Sequence, residues 1–91
     1  MRLFKKIIDT LTGQKAKDNI LVALLINGTS YGTDLVQVGA AKEGSVYGWL
    51  HQLEEEGLVE SDEVGRGGIP RRAYWLTVAG EARARVLRGT L

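Results

Sequence analysis

Val46, Trp49, Leu50 and Leu53 recur at i, i+3, i+4 and i+7, and Gly57 follows where a helix built on them would end. That spacing lines four apolar side chains along one stripe of a helix, which must dock against a core. Gly57 supplies the left-handed residue that helix ends favour, and Leu58-Val59-Glu60 then reads as a short strand. Gly65, Gly67, Gly68 and Pro70 interrupt any regular element before Arg71-Arg72-Ala73-Tyr74-Trp75-Leu76 resumes as a returning strand. The pattern predicts a helix over 42–56 and then a hairpin whose tip, over 62–72, is glycine-rich and basic.

The face opposite the apolar stripe carries Gly44, Ser45, Gly48, His51, Gln52 and Glu55, at about 100° per residue. Gly44 and Gly48 fall one turn apart on it, and a glycine inside a helix costs roughly 1 kcal/mol against alanine. Close approach of a partner's backbone would justify that cost. Simple tolerance of first-turn glycines is the plainer alternative.

Upstream, Leu3, Phe4, Ile7, Ile8 and Leu11 form a helical stripe with Lys5, Lys6 and Asp9 on the other side, giving an amphipathic helix over 1–13 that stops near Gly13. A second helix runs from Lys15 or Lys17 to Asn27 and is apolar nearly all round over Ile20 to Ile26, which predicts burial on several faces. Ser30 is placed to cap a short helix from Tyr31 to Val38, with Asp34 near its start, and Gly39 ends it in a tight turn before Lys42. Two helices joined by a short glycine-containing turn, the second with a polar face outward, make a helix-turn-helix. With the hairpin they outline a mainly α winged helix over 15–77. Thr77 is placed to cap a last helix over 78–91, where Val78, Ala79, Ala82, Val86 and Leu87 form a thin apolar side.

The chain has 91 residues, one domain's worth, and is near the size at which oligomerisation supports a modest core. It contains no cysteine, which excludes disulfide scaffolds, thiolate metal sites and thiol nucleophiles. The longest apolar run is seven residues, too short to span a bilayer. The start, MRLFKKIIDTL, lacks the long apolar centre and cleavage site of a signal peptide, so a cytoplasmic location is the default expectation. Net charge is only +1, yet both ends are basic and Glu54, Glu55, Glu56, Glu60, Asp62 and Glu63 form an acidic block between them. That cancellation fits a basic face opposed to an acidic one, which is the preferred reading, and it is also compatible with an evenly solvated surface.

Catalytic readings find little support. His51 is the lone histidine; pairing it with Glu55 gives a dyad without a nucleophile, and one imidazole with carboxylates is too little for a metal site. Gly65-Arg66-Gly67-Gly68 lacks the lysine and hydroxyl residue of a phosphate-binding loop. No cofactor, metal or membrane partner is expected.

Several segments, taken in order, resemble the PadR-like winged-helix transcriptional regulators: Ile20 to Ile26; Ser30-Tyr31-Gly32-x-Asp34-Leu35; Gly44-Ser45-Val46-Tyr47; Leu50-His51-Gln52-Leu53-Glu54-Glu55-Glu56-Gly57-Leu58-Val59; and Arg71-Arg72-x-Tyr74-x-Leu76-Thr77-x-x-Gly80. The resemblance spans roughly residues 18 to 82. It implies a homodimeric, repressor-like protein that binds duplex DNA, with the 42–56 helix in the major groove and the wing on flanking backbone or minor groove. Family members usually place Ser or Thr near Lys42 and often a proline where Gly48 stands. They normally dimerise through long helices after the wing, so this chain, ending at Leu91, is expected to be a short form that dimerises through Leu3, Phe4, Ile7, Ile8 and Leu11 with Val86 and Leu87.

Expected roles on DNA follow from side-chain chemistry. Arg66, Arg71 and Arg72 would meet phosphates or the narrow groove with a permanently charged fork. Ser45, Tyr47, His51 and Gln52 would reach bases or backbone, Gln52 being the better adenine reader. Tyr47 also flanks the apolar stripe, where a packed ring with its hydroxyl at the surface is an equal reading. Lys42 would hold a phosphate at the helix entrance, while Gly44 and Gly48 would admit the backbone. Trp49 and Trp75 read as packing residues, although such regulators can lodge a flat effector between aromatic rings. The competing expectation is a winged helix used as a protein-interaction module, with the wing arginines dispensable.

Overall fold

The computed structural model describes residues 13–65, 67, 68 and 70–90. They form α1 (Gln14–Asn27), β1 (Ser30–Tyr31), α2 (Gly32–Gln37), α3 (Val46–Glu55), β2 (Val59–Glu63), β3 (Arg72–Leu76) and α4 (Val78–Thr90). The strands make one antiparallel sheet in the order β1-β3-β2. This is the winged helix-turn-helix that the sequence predicts. The expected helix over 1–13, with Leu3, Phe4, Ile7, Ile8 and Leu11, lies outside the described residues.

The core forms where the apolar faces of the three central helices meet the sheet. Ile20, Leu21 and Leu24 of α1, Leu35 of α2, and Val46, Leu50 and Leu53 of α3 are buried against Val59 and Tyr74 of the hairpin. Fully burying a side chain of this size stabilises by about 1.5–3 kcal/mol, so the α3 stripe alone anchors that helix firmly. Trp49 extends the stripe: its ring lies so close over Gly13 that a Cβ there would collide with it. No described helix is long and apolar enough to cross a membrane.

Two glycine turns orient α3. Gly39 has φ 78°, and Ala40 N–H donates to Leu35 C=O at 2.9 Å, closing α2. Gly57 has φ 76°, and Leu58 N–H donates to Leu53 C=O at 2.9 Å, closing α3 and delivering the chain into β2. At the far end of the hairpin Thr77 caps α4, its Oγ1 accepting from Gly80 N–H at 3.0 Å and donating to Gly57 C=O at 2.7 Å. One hydroxyl thus ties the wing's exit to the end of α3.

Four expectations are corrected. Ser30 does not cap α2: it lies in β1 with its hydroxyl donating to Gly28 C=O at 2.9 Å, and Asp34 instead accepts from Tyr31 N–H at 2.8 Å. The third helix starts at Val46 rather than residue 42, because Lys42 to Ser45 form a turn in which Lys42 C=O accepts from Ser45 and Val46 N–H. Gly44 is therefore not in the helix interior and carries no helical cost. The connection from α2 to α3 is longer than the tight Gly39-Ala40-Ala41 turn, running from Val38 through Ser45. Last, α4 turns Gly80, Ala84 and Leu87 inward and leaves Val78, Ala79, Ala82 and Val86 exposed, so most of its thin apolar side faces outward.

Candidate nucleic-acid interface

The exposed face of α3 carries Tyr47, Gly48, His51, Gln52 and Glu55, as its periodicity predicts. Among the described residues, nothing beyond its chain neighbours and its own helix backbone comes within 4 Å of where a Cβ at Gly48 would sit, so no contact among them requires that glycine. His51 Nε2–H donates along the helix to Glu55 Oε1 at 2.6 Å, a pair that is largely exposed. Lys42 and Gly44 are exposed and Ser45 half-buried on the turn leading into the helix, so all three border its entrance.

The wing is built on the β2–β3 ladder, Val59 opposite Leu76 through Glu63 opposite Arg72, with Val64 N–H donating to Arg71 C=O at 2.7 Å beyond it. Arg66 lies outside the described residues. The other two wing arginines differ in their surroundings. Arg72 donates to Ser61 Oγ at 3.0 Å and approaches Glu63 at 3.9 Å, while Ser61 in turn donates to Glu54 at the end of α3. Arg71 instead stacks on Tyr31, its guanidinium carbon 4.4 Å from the ring centroid. Such stacking leaves the N–H edges of the fork available to an acceptor.

Of the expected interface residues, Tyr47, Arg71 and Arg72 meet in one cleft of about 440 Å³ between α2, α3 and the wing, while Lys42, Gly44, Ser45, Gly48, His51 and Gln52 lie outside its lining. Tyr31 at the end of β1, Gly32 and Thr33 at the start of α2, Tyr47 of α3, Arg71 just before β3, and Arg72 and Tyr74 within it line the cleft. Tyr47 satisfies both expectations for it: its ring lies on Gly32, where a Cβ would come within 2.8 Å of the hydroxyl oxygen, while the residue stays 53% exposed. Burial pushes the Tyr74 phenol up from its ordinary value, and the Glu54 carboxylate adds to the rise against Arg72. That phenol remains a proton donor at neutral pH. Tyr31, Gly32 and Thr33 are absent from the sequence-predicted interface; the signal that would have found them is a tyrosine and a glycine at a helix start next to an arginine-bearing strand.

Four carboxylates of the acidic block take partners within the chain, one of them a lysine, while the block stays largely exposed. Glu56 pairs with the buried Lys17 at 2.8 Å, Glu55 with His51, Glu54 with Ser61, and Glu60 with Trp75 Nε1 at 3.2 Å. Trp75 is thereby held on the sheet, away from the α3 face. Of the expected dimerisation residues on α4, Val86 is 65% exposed while Leu87 packs against the core of its own domain.

Residues 20–86 match the family model described as the transcriptional regulator PadR-like family. No curated protein matches the sequence. Among solved structures, a Pyrococcus horikoshii OT3 transcriptional regulator homologue superposes with a TM-score of 0.70 at 22% identity, over 99% of this chain and 90% of that one. A PadR-like transcription factor from Bacteroides fragilis gives 0.67 at 24%, over 90% and 88%. Bacillus subtilis PadR in complex with operator DNA gives 0.64 at 28% identity, over 77% of this chain and 44% of that one.

Proposed function

The chain belongs to the PadR-like family of transcriptional regulators, and on that premise we propose that it binds duplex DNA sequence-specifically as a homodimer and represses transcription. The observation that carries the reading is that α3 leaves His51 and Gln52 exposed while Tyr47 of the same helix lines one cleft with Arg71 and Arg72 of the wing. In this reading α3 enters the major groove, Gln52 and His51 meet base edges, and Lys42, Ser45 and the wing arginines hold phosphates. The operator complex of Bacillus subtilis PadR supports it by the same fold. The repressor assignment rests on family membership.

A dimer is supported by the outward stripe of α4, where Val78, Ala82 and Val86 recur at i, i+4 and i+8. A second copy packed there would pair two α3 helices for half-sites about 34–36 Å apart on DNA.

The test is affinity for a retained duplex measured against salt. The R71A variant is expected to bind all sequences more weakly and to lower the slope of log affinity on log salt by about 1. Gln52→Ala is expected instead to relax preference at one base pair, by about 1–3 kcal/mol. A salt slope unchanged by R71A, with base preference unchanged by Q52A, would overturn the assignment of this face to DNA.

A further inference from the structure

The cleft beside Arg71 arises from a mismatch of strand lengths. β1 has two residues and β3 has five, so β1 pairs only with Ala73 and Tyr74 before Gly32 turns the chain into α2. The edge of β3 at Arg72, and Arg71 just before it, are left without a β1 partner on that side. All three tyrosines of the chain converge there with Thr33 and the two arginines, and no carboxylate is among the residues lining the cleft. Phenol and threonine hydroxyls and guanidinium groups are all hydrogen-bond donors, so the lining is built for an acceptor that carries negative charge.

The two arginines are not equivalent there. Arg72 is committed to Ser61 and Glu63 and forms part of the wall. Arg71 takes part in none of the ion pairs among the described residues, and the Tyr31 ring fixes its position from one face. Tyr47 is fixed similarly, its ring resting where Gly32 has no side chain.

We infer that this cleft seats a single backbone phosphate of the bound DNA, held by Arg71 and the Tyr47 hydroxyl, with Tyr31 as the residue that positions Arg71. The inference rests on the DNA-binding reading and deepens it. Both groups meet the same phosphate from opposite walls, so it registers the wing against α3, and that spacing sets the depth at which α3 sits in the major groove. Tyr31 acts through its ring and not through its hydroxyl.

The experiment uses a duplex retained by the wild-type protein, resynthesised with uncharged methylphosphonate linkages one at a time along each strand. One linkage per half-site is expected to weaken wild-type binding about tenfold yet to leave R71A binding unchanged, since the partner charge is already gone. Y31A is expected to behave as R71A does, Y31F as wild type, and Y47F to lose part of the effect at the same linkage. Melting temperatures of the variants, expected to match wild type for R71A, Y31F and Y47F, separate loss of contact from loss of fold. Inorganic phosphate at the same ionic strength as chloride is expected not to compete, which distinguishes a DNA phosphate from a free anion site. If every linkage weakens R71A as much as wild type, or if Y31F falls with Y31A, the phosphate seat is wrong while DNA binding stands. If wild type retains no duplex, both fall.

Discussion

Gly80 shows how much can depend on an absent side chain. A Cβ at this position would run into the Leu58 carbonyl oxygen, in the backbone segment between α3 and β2. The close approach is made by the Thr77 cap, which accepts from Gly80 N–H and donates to Gly57 C=O. Backbone cannot rotate aside as a flexible side chain can, so G80A must push α4 off the domain. A loss of about 3 kcal/mol is expected, read as a lowered midpoint in urea unfolding; a loss below about 0.5 kcal/mol would mean that α4 is not held this way. Thr77 was legible in the sequence because capping depends on one residue and its immediate neighbours. The demand at Gly80 and the stacking of Arg71 on Tyr31 were not, since both arise between segments far apart in the chain.

Among the elements, α3 was the most legible and its start the least. Val46, Leu50 and Leu53 are buried as their spacing requires, but the helix begins at Val46 because Lys42 C=O closes a turn first. β1 escaped notice because two residues carry no alternation, and only pairing with β3 makes them a strand. The acidic block was equally opaque, because its partners Lys17, Ser61 and Trp75 come from three other elements. Gly48, in contrast to Gly44, is inside α3 and faces open space. G48A is therefore expected to raise stability by about 1 kcal/mol and, where DNA backbone comes close, to weaken duplex binding about tenfold. Higher stability with undiminished affinity would assign the glycine to tolerance alone.

At the scale of the whole molecule, the proposed function calls for a second copy. One domain presents one α3 and one wing, and the proposed two-fold dimer through the outward stripe of α4 would double the contacted surface and demand a palindromic site. Leu87 packs against the core of its own domain, so in the proposed dimer Val78, Ala82 and Val86 would face the second copy. The measurement that bears most directly on this is selection from a pool of random duplex DNA by the purified protein, at low and at moderate salt, followed by sequencing of the retained fraction. Recovery of a palindrome with half-sites one helical turn apart is expected, with retention that falls steeply as salt rises. Failure to retain any duplex, even at low salt, would contradict the proposed function.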